Sequence, residues 1–185
     1  MASILLTGPA IEPMSLEETK TFLRIEHNDE DQLIAALIAG ARSHIEAQTQ
    51  TALIAQDWRV VLDAWPQPGR IIVRPGPLKA LNATRVFDCN GDPHMIDPQA
   101  VAPDFGASTL AFVPRAMPAP GRIAEIDVTV GFGDEAEDVP ESLRQAIRMV
   151  VAHWYENRGS TGGNQNASSL ATVAALIAPY RMFSI

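Results

Sequence analysis

The side chains best equipped for chemistry are His27, His44, His94 and His153, the single Cys89, and two acidic groups, "HNDED" at 27–31 and "DEAED" at 134–138. Imidazole, thiolate and carboxylate are the usual metal ligands, and paired carboxylates can also act as acid and base. The spacing does not gather them. None of the histidines pairs with another histidine or with the cysteine at the interval a zinc site uses. Neither acidic group has the spaced ligands and closing Glu of an EF-hand loop. Both suit solvated turns ahead of helices, with Asn28 or Asp29 as a cap for the next one. "GFGDEAED" has two glycines but lacks the third of a phosphate-cradling loop. A lone thiol makes no internal disulfide, and Cys89 reads as a small, partly buried residue in a reducing compartment. His153 and Trp154 in "VAHWYENR" fit a helix as a surface or half-buried side chain and a core side chain, with Tyr155 at an interface. Trp58 and Trp65 lie near strand ends and read as core. No catalytic residue, cofactor or metal site is expected. One alternative stays open: a small enzyme or ligand-binding domain with a pocket around Asp88, His94, Asp97 and Asp104.

Composition narrows the classes further. The 185 residues are 46% hydrophobic and 19% charged, enough apolar content for a real core. The net charge of -8 argues against a protein that coats nucleic acid, because such proteins carry basic stripes. It is compatible with a wall that DNA slides past. "MASILLTGPAIEP" has no basic residue before its apolar stretch and makes a poor signal peptide. "LIAALIAGA" is far short of the roughly 20 residues that span a bilayer. A soluble protein assembled inside a cell, without a membrane partner, is expected.

These groups must be positioned by three zones. Ser15 before "LEETKTFLRI", with Glu18 three places on, is a capping-box pattern, and Leu16, Thr19, Phe22 and Leu23 share a helical face. Leu33, Ile34, Leu37, Ile38, Ala41 and Ile45 recur at helical spacing, giving a long helix over about 29–49. From 56 to 131 the pattern changes to short strands punctuated by proline: "DWRVVLDAW", "GRIIVRPGP", "LNATRVFD", "TLAFVP" and "RIAEIDVTVGFG". Asn90-Gly91 is a hairpin-turn signal. In the last strand Ile123, Glu125, Asp127 and Thr129 alternate with Ala124, Ile126, Val128 and Val130, as one wet face requires. A second long helix spans about 140–157, with Pro140 in its first turn and Gly159 as its stop. "STGGNQNASS" is a polar linker, and a short helix from about Ser168 to Ala178 ends at Pro179. The fold class expected is α+β: mostly a helical bundle, two long helices with short N- and C-terminal ones, carrying an inserted antiparallel β subdomain. The domains expected are a helical core of 1–55 and 132–160, the β insertion at 56–131, and a tether and docking segment at 161–185.

The chain ends on "ALIAPYRMFSI", where Arg181 is the only charge. An apolar stretch after a polar tether either folds back on its own core or docks on another chain. The tether favours docking, because closing one's own core needs no ten-residue linker.

The opening "MSLEETKTFLRIEHNDEDQLIAALIAGARSHIEAQTQTALIAQDWRVVLD" resembles head–tail connector (adaptor, head-completion) proteins of long-tailed phages and phage-like gene transfer agents. The match runs through Ser15, Leu16, Leu23, Arg24, Asp29 to Asp31, Ile34, Leu37, Ile38, Ala41, Arg42, Ile45, Glu46 and Thr49. "VPESLRQAIRMVVAHWYENRG" is similar to the family's second long helix, and "ALIAPYRMFSI" to its terminal "LLxPYR" signature. Gln50 stands where the family has glycine, and the β zone marks a longer subgroup. The resemblance implies a structural, non-enzymatic adaptor. Its copies form a ring, typically of twelve, under the portal protein. It meets a neck, stopper or tail-terminator protein on the other side, and DNA passes through without specific binding. It implies assembly in the host cytoplasm and a final place in the neck of the particle. By the same resemblance Leu176, Ile177, Pro179, Tyr180, Arg181, Met182, Phe183 and Ile185 would grip the portal.

Overall fold

A computed structural model describes residues 1–64, 69–88, 90–112, 123–157 and 167–182. Cys89 and Trp65 lie outside the described residues. The chain divides into two compact units, residues 1–10 with 55–132 and residues 11–54 with 133–185.

The described residues of the first unit form eight strands. They are β1 (Ala2–Thr7), β2 (Gln56–Leu62), β3 (Arg70–Ile72), β4 (Leu78–Phe87), β5 (Pro93–Met95), β6 (Val101–Asp104), β7 (Thr109–Phe112) and β8 (Ala124–Val130). One sheet has the order β1-β2-β8-β4-β5 and the other β3-β7-β6, and every pairing is antiparallel. Strict alternation drives β8: Ala124, Ile126, Val128 and Val130 are buried, while Glu125, Asp127 and Thr129 face outward. Val60, Val73, Val86, Leu110 and Phe112 join the buried set. The Asn90-Gly91 signal turns β4 into β5, with Gly91 at φ +88°.

The wet face of the five-stranded sheet is tied by charge. Arg59 holds Asp127 through Nε at 2.7 Å and Nη2 at 3.1 Å, a bidentate fork, and lies 3.3 Å from Glu125. Arg85 also bonds Asp127. Burial alone would raise the Asp127 pKa, but the hydrogen bonds from Arg59 and Arg85 outweigh it and hold the carboxyl below its ordinary value. A lowered pKa stabilises the fold above the usual Asp range, near 3.9, and that contribution is lost as pH falls through the lowered value. Asp127→Asn is therefore expected to lower the melting temperature at neutral pH. The gap from the parent should shrink as melts are taken toward pH 3. A gap that stays constant with pH would show that this pairing adds nothing.

The second unit is helical: α1 (Leu16–Leu23), α2 (Asp31–Thr49), α3 (Glu141–Glu156) and α4 (Ala167–Ile177). The capping box opens α1, with Ser15 Oγ accepting from the Glu18 N–H at 3.1 Å and Glu18 Oε2 accepting from the Ser15 N–H at 3.0 Å. That Ser15 N–H, with Arg144 adding to it, holds the Glu18 carboxyl below its usual range. Ile34, Ile38, Ala41, Ile45 and Thr49 form the buried stripe of α2 against Leu143, Ala146, Ile147, Val150 and Val151 of α3. A Cβ on Gly40 would lie 3.3 Å from Trp154 Cζ3, so the small residue admits the half-buried indole. Gln50 closes α2 in the left-handed region at φ 57°.

Several expectations need correction. The chain is not a mostly helical bundle: among the described residues, four α-helices stand beside eight strands in two antiparallel sheets. Long periodic helices announce themselves in sequence, whereas β1, apolar on both faces, and β5 and β6, short and carrying proline, show no strand period. The sheet also begins before the first helix, at β1, which pairs with β2. Phe22 is exposed, while Thr19 and Met14 are buried. Neither Asn28 nor Asp29 caps α2. Glu30 stands at the N-cap; its carboxylate makes no cap bond to the helix but accepts from Tyr155 Oη, and Asn28 Oδ1 accepts from Lys20 at 2.6 Å.

Candidate functional site

The C-terminal segment is placed by α3. Val173 and Ile177, one helical turn apart on α4, are buried where α4 packs on α3. A 3₁₀ turn over Ala178–Tyr180 follows, set by the proline at its start. Tyr180 Oη accepts a hydrogen bond from Ser142 Oγ at 3.0 Å. The Met182 N–H then donates to the Thr49 carbonyl at 3.1 Å, satisfying an orphan acceptor at the end of α2. Arg181 Nη2 reaches Gln48 Oε1 at 3.5 Å.

The expected docking residues thus fall into two groups. Ile177 is spent on the chain's own core. Pro179 and Arg181 are exposed, and Leu176, Tyr180 and Met182 are half-buried. Phe183 and Ile185 lie outside the described residues. Residues 161–166, most of the expected tether, lie outside them as well. Sequence reasoning missed that Val173 belongs with Ile177. The four-residue spacing was the available signal.

The groups first considered for chemistry have structural occupations. Asp88 accepts from the Asn90 and Asp92 N–H groups at 2.8 and 3.0 Å and lies 3.2 Å from His94 Nε2. The Asp92 N–H, and then His94, pull its pKa down to about 2. Asp97 accepts from the Gln99 N–H at 2.9 Å and Asp104 from the Ala107 N–H at 3.1 Å, so each ties its own turn. His44 meets Trp154 edge-on at 5.7 Å, and His153 Nδ1 sits 3.2 Å from Asn157. In "DEAED", Glu135 and Asp138 cap one another across a 3₁₀ turn. Among the described residues no three His, Cys, Asp or Glu side chains are placed to share a metal ion.

A cavity of about 630 Å³ lies in the helical unit. Met14, Leu16, Ala35 and Ile38 supply apolar lining, and Glu12, Glu18, Glu135 and Glu137 its carboxylates. Glu12 is held by Arg42 at 2.8 Å and Glu18 by Arg144 at 2.9 Å. Ser15, its hydroxyl residue, is committed to the capping box. Glu12, Glu18 and Ser15 are thus each engaged in holding the fold at this cavity.

The sequence of residues 12–183 matches the family model described as head completion protein. Three chains from gene transfer agent (GTA) particles share the fold. One, from the neck of an empty GTA particle computed with C6 symmetry, is 24% identical with a TM-score of 0.84 over 100% of this chain and 97% of that one. Another, from the virion of a native GTA particle, is 25% identical with a TM-score of 0.81 at the same coverage. The third, from the neck of a native GTA particle computed with C12 symmetry, is 27% identical with a TM-score of 0.68 over 98% and 97%. A search of curated proteins gives no match.

Proposed function

The chain belongs to the head completion protein family, and from that premise we propose that it is a structural head–tail adaptor in the neck of a phage-like particle. The observation that carries the reading is the family match over nearly the whole chain. It is supported by full-length likeness to chains of GTA necks. The role is assembly rather than catalysis, in keeping with turn-capping and ion-pairing duties for Asp88, Asp97, Asp104 and Glu18.

Copies form a ring, with twelve as the expected number, between the portal protein and a stopper or tail-terminator protein. They assemble in the host cytoplasm and remain in the neck. The negative net charge suits a channel that DNA passes without adhering. The portal is gripped by the tail through Pro179, Arg181, Met182 and the exposed edges of Leu176 and Tyr180, with Phe183 and Ile185 beyond them. Tyr and Arg are favoured anchors at binding hot spots. Repetition around a ring lets weak tails act together.

The test is binding of the full chain to its cognate portal ring by co-sedimentation. Removing everything after Gly163 is a poor variant, because α4 supplies Val173 and Ile177 to the core. Arg181→Glu changes an exposed side chain and spares that packing. It is expected to weaken portal binding at least about tenfold, the effect of 1.4 kcal/mol. Unchanged binding by the variant would move the contact to the body of the protein. Failure of the parent chain to bind the portal at all would overturn the adaptor reading.

A further inference from the structure

Among the described residues the largest run of exposed apolar side chains lies on β1, where Ile4, Leu5 and Leu6 are 51, 48 and 45% exposed. β1 is an edge strand, paired only with β2. Open edges are normally guarded by charge, proline, a bulge or brevity. "ASILLT" has no charge and no proline, and its register shift comes only after Leu5. Residues 2–5 are therefore a regular, unguarded edge.

The other end of the same sheet is β5, an edge strand of three residues that opens on Pro93, so the free edge it offers is short and centres on Met95. Met95 is 66% exposed there. The Ile96 N–H donates to the Thr84 carbonyl, so by the alternation of strand groups the N–H and C=O of Met95 face away from β4. The register aligns these two edges. Ala2, Val61, Glu125, Arg85 and Met95 form one row across all five strands, on the wet face that also carries Ile4. Every neighbouring pair is antiparallel and the strand number is odd, so β1 and β5 run in the same direction.

From this we infer that β5 of one copy pairs in parallel with β1 of the next, making the five-stranded sheets of a ring continuous. The inference rests on the ring reading proposed above. A cyclic ring joins two different patches of one molecule, head to tail, and never inverts a copy. Two like-directed edges at opposite ends of a sheet meet that requirement. Two β1 strands meeting around a two-fold axis would not propagate. The row puts Met95 of one copy beside Ala2 of its neighbour, with the apolar Ile4 two residues along on the same face and within reach of the long Met95 side chain, and the pairing supplies main-chain partners to both edges.

Cross-linking within portal-bound rings tests the contact. In a Cys89→Ser background, Ile4→Cys and Met95→Cys are introduced singly and together, with Ala2→Cys plus Met95→Cys as a second pairing in the same row. All three sites are at exposed edges. Neighbouring strands about 4.8 Å apart bring opposed Cα atoms within disulfide range. Oxidation is expected to turn at least one double variant into a ladder of covalent multimers larger than dimers, while each single variant stays monomeric. Intact rings, seen by electron microscopy, that yield only monomers from both double variants would overturn the inference and leave the ring reading standing. Dimers from Ile4→Cys alone would overturn it in favour of a two-fold contact. Cross-links from Ile4→Cys to another neck protein would assign the β1 edge to that protein instead. Absence of rings from the parent chain with its portal would overturn both readings.

Discussion

Ile177→Ala is expected to cost about 2–5 kcal/mol of folding stability, the range for emptying a well-packed aliphatic site. Ile177 is fully buried, and Val173 beside it is buried too. α4 reaches that site over α3, which presents Leu143, Ala146, Ile147, Val150 and Val151 to the core. Truncating the side chain removes apolar burial and leaves a cavity lined by groups that cannot all collapse into it. The measurement is urea unfolding followed by circular dichroism, read as a fall in the midpoint with little change in slope. Pro179 and Arg181, two and four residues on, are exposed and should cost little when replaced. A small effect at Ile177, comparable to theirs, would mean that α4 leaves the core readily and is free to serve a partner. The contrast across four residues separates the part of the tail that closes the fold from the part that is left exposed, where the portal contact is proposed.

That separation was only half legible in the sequence. "ALIAPYRMFSI" announces an apolar segment, and Pro179 announces where its helix must end. Which residues face home depends on the groove that α3 and the end of α2 present, and no local pattern encodes that. The long helices were readable because their stripes are local: Ile34, Ile38, Ala41 and Ile45 repeat at helical spacing and are buried. Ser15 and Glu18 were readable for the same reason, since both bonds of the capping box lie within three residues. The alternation of β8 survived because that strand is central, with one dry and one wet face.

The sheet edges were not readable. β1 has apolar residues on both faces and so shows no alternation; its place is decided by β2, more than fifty residues away. β5 begins with Pro93 and β6 contains Pro103, and proline argues against a strand except at an edge or an end. The balance of helix and strand was misjudged at these edges. The ion-paired face was legible as alternating Glu125 and Asp127, but their arginines come from β2 and β4 and are supplied by tertiary pairing.

Gly133→Ala is expected to be the other large loss, and its cause is contact rather than backbone freedom. A Cβ at this position would lie 1.9 Å from Asp138 Oδ2, 2.2 Å from its Cγ and 2.4 Å from its Cβ. The oxygen alone could swing away, but the Cβ is fixed to the backbone of the 3₁₀ turn. Asp138 Oδ2 accepts from the Glu135 N–H at 3.1 Å, so moving it also opens the reciprocal cap. The strain of forced packing is about 1–3 kcal/mol, and the lost cap adds about 1 kcal/mol. The turn leads directly into α3, through Val139 and Pro140, so a shift there disturbs the helix on which α4 rests. Asp138→Gly alone loses the cap but leaves room for the added methyl. If contact is the cause, the two substitutions together should cost clearly less than the sum of their separate costs in urea unfolding, by at least about 1 kcal/mol. Additive losses would show that Gly133 is required for some reason other than the side chain lying against it.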